Sequence, residues 1–195
     1  MLSRSEPMRE TMMFLGQIVR RWRVTGAVAP SGDPLARAMT DAVGEVARGQ
    51  VILELGPGTG VFSRELVRRF PHARVVAVEV NDVFASHLSA AVPGLTVVNG
   101  CASRLDEHLT NLGLSPSDVA AVVSGLPLLS LPGDLPQKIL ASVAAVLRPG
   151  RRYIQFTYFR RAWRRFDTVG FRWLPHRRVW RNIPPAIVLS FTRDE

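Results

Sequence analysis

A chain of 195 residues is long enough for one domain with a sizeable core. Its 47% hydrophobic and 21% charged content is that of an ordinary globular protein, and its single cysteine, Cys101, excludes an intrachain disulfide and a cysteine-based zinc site. The formal net charge of +9 points to a polyanionic partner, either nucleic acid or an anionic membrane surface; composition leaves both open.

Lys138 is the only lysine, so the basic residues are almost all arginine. That bias suits bidentate phosphate binding, and a GC-rich genome would produce it equally well. No apolar run approaches the ~18 residues of a spanning helix. The first residues, with Arg4, Glu6, Arg9 and Glu10, do not read as a signal peptide. The expectation is a cytoplasmic protein that is soluble or sits on the membrane without crossing it, with no metal.

In chain order, Met8, Met12, Leu15, Val19 and Trp22 fall on one stripe and predict an amphipathic helix over Met8–Trp22. Met13, Phe14 and Ile18 widen the stripe; Arg9, Arg20, Arg21 and Arg23 flank it. Gly26, Pro30 and Gly32 break the pattern. Asp33 and Pro34 then open a second helix, expected to reach about Val46. Strands are predicted at Val51–Leu55, Arg74–Val78, Leu95–Val98, Val119–Ser124 and Tyr153–Tyr158. Helices are expected at Val61–Arg69, Asp82–Ala91, Ser103–Leu112 and Leu135–Leu147. This alternation implies a parallel sheet covered on both faces. Phe171–Trp180 and Ile187–Phe191 read as two consecutive strands, an antiparallel addition to the sheet.

A strand followed by Gly56, Gly58 and Gly60 and then a helix has the form of a nucleotide-binding turn. Dinucleotide enzymes share it. Two acids separate the cases. Glu54, inside the strand end, suits a cationic amino-acid ligand better than a pyrophosphate. Glu79 ends the next strand, where an acid bonds ribose hydroxyls. The competing reading is a plain turn, with Glu54 paired to an arginine.

ELGPGTG followed by VAVEVN resembles the class I S-adenosylmethionine-dependent methyltransferase signature, in its rRNA adenine dimethylase-like branch. The resemblance implies an α/β Rossmann-like fold: a mostly parallel seven-stranded sheet with helices on both faces and an N-terminal amphipathic helix. Residues 1–33 would form that helix and a covering segment, and 34–195 the methyltransferase domain. The cofactor implied is S-adenosyl-L-methionine, with S-adenosyl-L-homocysteine as product. Glu54, Gly56, Pro57, Gly58 and Gly60 would hold its methionine part, and Glu79, with Val80 beside it, its ribose. Cys101 and Ala102 stand where the branch has Asp-Ala and uses the Asp for adenine. Ser124, Gly125 and Leu126 would line the cofactor at the end of the fourth strand.

The related adenine enzymes carry Asn-Leu-Pro-Tyr at that last position, for holding a flipped base. Here Gly125 replaces the Asn and Leu128 the aromatic residue. The rest of the chain resembles the peripheral bacterial phosphatidylethanolamine (phospholipid) N-methyltransferases, through TGAVAPS (25–31), SGLPLL (124–129), QFTY (155–158) and RNIPPA (181–186). That implies up to three methyl transfers to the ethanolamine amine, giving phosphatidylcholine, on the inner face of the cell membrane. Tyr158 and His176 are candidate bases. Tyr158 is also the first choice for a cation–π contact, ahead of Trp163, Trp173 and Trp180. Arg177 and Arg178 are candidates for the lipid phosphate. Arg9, Met12, Phe14, Arg20, Arg21 and Trp22 would meet the membrane, with RRAWRR (160–165) a second contact. The alternatives are an rRNA adenine N6-methyltransferase and a cofactor-binding adaptor that has lost catalysis.

Overall fold

The structure, a computed structural model, describes residues 32–166 and 170–194. The expected helix Met8–Trp22, and with it Arg9, Met12, Phe14, Arg20, Arg21 and Trp22, lies outside the described residues.

The described elements run α1 (Asp33–Asp41), β1 (Val51–Leu55), α2 (Val61–Arg69), β2 (Arg74–Glu79), α3 (Asp82–Ala91), β3 (Leu95–Asn99), α4 (Leu105–Asn111), β4 (Val119–Ser124), α5 (Leu135–Val146), β5 (Arg152–Thr157), β6 (Phe171–Trp173), β7 (Arg177–Val179) and β8 (Ala186–Arg193). The strands form one sheet in the order β3-β2-β1-β4-β5-β8-β6, with β7 also paired to β8. The pairs β3–β2, β2–β1, β1–β4 and β4–β5 are parallel; β8 runs antiparallel to β5, β6 and β7. β6 and β7 occupy the same edge of β8, so the sheet is seven positions wide, as expected.

The central strands are apolar because both faces are covered. All five residues of β1 are buried. On one face, Leu53, Leu55, Val76 and Val122 pack with α4 and α5 residues such as Leu109, Leu140 and Val143. On the other, Ile52, Val75, Val123 and Ile154 meet Leu35 and Met39 of α1 and Phe62 and Leu66 of α2. Helix α3 begins where the Asn81 side chain accepts from the Phe84 N–H at 3.1 Å, an N-cap bond.

Three expectations are corrected. The helix from Asp33 stops at Asp41 rather than near Val46, and Gly44 follows with φ +84°. The predicted strand Phe171–Trp180 is two short strands. Trp173 faces Phe191 and Arg177 faces Val188, so three residues oppose two, a one-residue bulge at Leu174-Pro175-His176. Pro175 has no N–H for the ladder, which confines it to such an interruption. The predicted helix Ser103–Leu112 starts with a 3-10 turn, Ala102–Arg104, before α4.

Candidate active site

The parallel strands bring the loops after β1, β2, β3 and β4 to one end of the sheet. A cleft opens there, walled by Gly56, Gly58, Glu79, Cys101 and Leu126. This is the crevice outside the carboxyl ends of strands where open α/β sheets bind ligands.

The loop after β1 lies close against the loop after β4. A Cβ at Gly125 would sit 2.8 Å from the Gly56 carbonyl oxygen, and the Gly125 N–H donates to the Leu55 carbonyl at 2.8 Å. A side chain at Gly56 would collide with Leu126, and its φ of +65° favours glycine independently. The two glycines thus let two backbone segments touch at the floor of the cleft.

Glu79 is buried on the cleft wall. Its Oε1 accepts from the Asn81 N–H at 2.9 Å and its Oε2 from the Gly58 N–H at 3.2 Å. Desolvation raises its pKa, and those backbone bonds oppose the rise. The carboxylate therefore ties the glycine loop to the end of β2 while facing the ligand space.

Glu54 lies beneath the loop and is fully buried. Ser63 of α2 donates to its Oε2 at 2.6 Å; its Oε1 has no hydrogen-bond partner among the described residues. Burial pushes its pKa up to about 7, the Ser63 bond works against that, and the Glu79 charge adds to it. A buried acceptor without a partner is costly, and a cationic ligand group above it would relieve that cost.

Most of the anticipated cofactor positions come together here. Gly56, Gly58, Glu79, Val80, Cys101, Ala102, Gly125 and Leu126 all line the cleft. Glu54, Pro57, Gly60 and Ser124 do not line it. Ser124 is buried and its Oγ accepts from the Leu126 N–H at 3.3 Å. The loop it holds is also fixed from β5: Gln155 donates to the Leu126 carbonyl at 3.0 Å and accepts from the Tyr153 hydroxyl at 2.9 Å. Cys101 places its Sγ 3.1 Å from Ser103 Oγ, and the His108 ring lies 3.0 Å from its carbonyl. Phe84, Leu131, Leu135 and Ile139 complete an apolar wall that the motifs do not announce.

The substrate candidates separate. Tyr158 follows β5 directly, half-buried, in a row of edge-on rings: Phe62–Phe156 at 5.8 Å and Phe156–Tyr158 at 5.8 Å. Phe62 in turn lies next to Gly125, so the row leads from the cleft floor to the rim. Asn182, buried, donates to the Tyr158 hydroxyl at 3.5 Å. Burial raises the Tyr158 pKa, which the Asn182 bond partly offsets; the group is a neutral phenol at neutral pH. His176 is exposed at the break between β6 and β7 and does not line the cleft. Arg177 pairs with Asp41 at 2.9 Å, beside Arg69. Arg178 stacks over Trp180 at 4.8 Å. Trp163, one of the lower-ranked aromatic candidates, for which packing in the core is the preferred alternative, is indeed a core residue 1% exposed, against Phe166 and Phe191. Leu128 is likewise buried, so its side chain serves the core rather than standing where a base-stacking ring would. No cluster of metal-ligating side chains occurs among the described residues.

This strand order, the glycine loop and the acid at the end of β2 define a Rossmann-like enzyme that holds an adenosine-containing cofactor at the carboxyl ends of its strands. The chain belongs to the S-adenosylmethionine-dependent methyltransferases: residues 52–150 match the family model described as a methyltransferase domain. It is 33% identical over 189 residues to the ornithine lipid N-methyltransferase of Singulisphaera acidiphila, covering 92% of this chain and 94% of that protein. It is 38% identical over 86 residues to ribosomal RNA small subunit methyltransferase A of Phenylobacterium zucineum, covering 43% of this chain and 28% of that one. The fold matches a TehB-like S-adenosylmethionine-dependent methyltransferase from Corynebacterium glutamicum with a TM-score of 0.63 at 20% identity, over 92% of this chain and 97% of that one.

S-adenosyl-L-methionine is the cofactor, and the site suits it. Glu79 offers a carboxylate for the ribose, the apolar wall of Phe84, Leu131 and Ile139 suits a flat adenine, and the free oxygen of Glu54 suits an ammonium. When bound, the cofactor supplies an electrophilic methyl group on a sulfonium.

Proposed function

We propose that the chain methylates the amine of a lipid headgroup at a membrane surface, taking phosphatidylethanolamine to phosphatidylcholine in up to three steps. The similarity to a lipid N-methyltransferase along nearly the whole chain carries this reading. The cleft agrees with it: Gly125 has no side chain to hold a base amino group, and Leu128 is buried.

The enzyme's task in such a reaction is chiefly positioning. The amine must arrive uncharged: a desolvating pocket disfavours the ammonium form and lowers its pKa, so that its proton is released to solvent before the methyl is transferred. The rings of Phe156 and Tyr158 supply apolar surface beside the cleft. Each methylation makes the headgroup bulkier and the fully methylated product a fixed cation, which an aromatic face attracts by about 0.5–2 kcal/mol. Tyr158, as a neutral phenol, serves through its ring rather than as the proton acceptor. Arg178 is the better placed of the two phosphate candidates, because Arg177 is engaged with Asp41. The protein works from the cytoplasmic side, held peripherally; no helix among the described residues is long and apolar enough to cross a membrane. The segment Met8–Trp22 contributes to that attachment, and deleting residues 1–23 is expected to reduce vesicle binding.

The test is transfer of labelled methyl from S-adenosylmethionine to vesicles containing phosphatidylethanolamine, with ornithine lipid vesicles and rRNA as parallel acceptors. Label in phosphatidylethanolamine supports the full reading. Label only in ornithine lipid keeps the lipid amine and changes the headgroup. Label only in rRNA, or in no acceptor while the cofactor binds, overturns it.

A further inference from the structure

We infer that the rim formed by the exit of β5 and the β7–β8 turn is a membrane-insertion surface, with Phe159, Trp180 and Ile183 entering an anionic bilayer and Arg160, Arg161 and Arg181 resting on its headgroups.

The topology puts these residues together. Thr157, at the end of β5, faces Ile187 of β8; Val179, at the end of β7, faces Ala186. The exits of β5 and β7 and the entry of β8 therefore lie at one end of the sheet. It is the end that carries the cofactor cleft, because β5 is parallel to β4. Asn182 ties the two exits together, bonding Tyr158 at 3.5 Å and the Pro184 carbonyl at 2.8 Å.

Four large apolar side chains are strongly exposed among the described residues, and three of them are on this rim: Phe159 at 71%, Trp180 at 68% and Ile183 at 79%. Asn182, between Trp180 and Ile183, is only 4% exposed, so the turn is anchored while its apolar side chains project. Exposed apolar groups gathered in one place mark an interaction surface.

Charge identifies the partner. Arg160, Arg161 and Arg181 are exposed, and none pairs with a carboxylate among the described residues. Asp167 is the only Asp or Glu in 158–193, against nine arginines. Aromatic and aliphatic tips ringed by arginines, whose stems can lie along apolar surface while their heads stay at the headgroups, are the pattern of an interfacial contact. Ile183 has no ring to stack on a base, which favours lipid over RNA. Docked this way, the rim would set Tyr158 and the neighbouring cleft at headgroup level.

The inference rests on the lipid reaction proposed above, and one set of measurements separates the two. Flotation of the full chain with phosphatidylglycerol–phosphatidylcholine vesicles measures partitioning. The double substitution Phe159→Ser with Ile183→Ser is expected to weaken it at least tenfold. Replacing Arg160, Arg161 and Arg181 by Gln is expected to weaken it about fivefold per charge, equivalent to about 1 kcal/mol each. Cofactor affinity by calorimetry, and methyl transfer to a dispersed short-chain lipid amine, stay unchanged in both variants. Independently, in a Trp22→Phe background, which removes the tryptophan of the N-terminal segment, bromine-labelled lipid chains quench the remaining tryptophan fluorescence, and adding Trp180→Phe removes most of that quenching. Variants that bind vesicles like the wild type, quenching untouched by Trp180→Phe, or loss of RNA binding in place of vesicle binding would each overturn the rim assignment. A wild-type chain that inserts this rim yet methylates no lipid amine supports the rim and removes the reaction proposed above.

Discussion

Ser63 Oγ of α2 donates to Glu54 Oε2 of β1 at 2.6 Å, leaving the other carboxylate oxygen buried and without a partner among the described residues. One hydroxyl offsets only part of the cost of burying a charge, and burial lifts the pKa from 4.5 to about 7. The folded protein therefore holds this proton more tightly than the unfolded chain. The contribution to stability is fully present below the unfolded pKa and is lost as pH rises through about 7. Cofactor-free protein should melt at higher temperature near pH 5 than near pH 8. Glu54→Gln should flatten that difference by roughly 3 kcal/mol, from about 1.4 kcal/mol per pKa unit, and should weaken S-adenosylmethionine binding by removing the anion proposed to face its ammonium. Thermal denaturation across pH, with and without cofactor, measures both. An unchanged pH profile in Glu54→Gln would remove the titration assignment.

Glu79 holds the glycine loop through its Gly58 and Asn81 bonds and is the residue proposed to hold the ribose. Replacing it by Ala deletes the acceptor for the Gly58 and Asn81 N–H groups as well as the ligand contact. Hydrogen bonds to charged groups contribute about 1.5–3 kcal/mol, so cofactor affinity should fall ten- to a hundredfold with the fold retained. Because burial raises the Glu79 pKa, wild-type affinity should also decline as pH drops through its elevated range, where the carboxylate is protonated. Calorimetric titration at several pH values checks this; wild-type affinity in Glu79→Ala would count against the ribose contact.

Gly125 is the tightest point of the site. The Cβ of an alanine there meets the Gly56 carbonyl oxygen at 2.8 Å, a backbone atom that cannot rotate away. The β1 and β4 loops must separate, at a cost of about 1–3 kcal/mol. Gly125→Ala should lower both melting temperature and cofactor affinity. Gly150→Ala, whose Cβ meets nothing within 4 Å, is the control for a glycine replacement away from the cleft, just before β5 at the other end of the sheet; its φ of +78° means it carries local strain only. Equal loss of cofactor affinity in both variants would show that close approach at Gly125 is unimportant.

How legible these features were in the sequence depended on how local they are. The glycine loop and Glu79 stand in one β-loop-α-β stretch, and each residue type there has a single strong physical reason. The apolar wall was not legible: Phe84, Leu131, Leu135 and Ile139 come from separate elements and have the ordinary pattern of core residues. Trp163 was ambiguous because four arginines surround it in RRAWRR, and only its 3-10 segment shows the indole turned inward onto Phe166 and Phe191. The break between β6 and β7 depended on Pro175, visible as a residue but not as a bulge until β8 supplied the register. Conversely, that Phe159 and Ile183 lie at the same end of the sheet follows only from the antiparallel return of β8.

Tyr158 separates a ring role from a proton role. Burial holds its pKa above the usual 10, so the phenolate that a general base would need is scarce at neutral pH. The hydroxyl does receive a long bond from Asn182 at 3.5 Å, while the ring packs edge-on against Phe156 at 5.8 Å. Tyr158→Phe keeps the ring and should retain methyl transfer within about threefold, a change of under 1 kcal/mol in barrier. Tyr158→Ala removes the aromatic face and should cost about tenfold or more, falling most heavily on the last methylation of the proposed series, the step that would yield a fixed cation. The pH–rate profiles of wild type and Tyr158→Phe should coincide. A Tyr158→Phe enzyme reduced a hundredfold or more, with the ascending limb of its profile lost, would instead make the hydroxyl the proton acceptor.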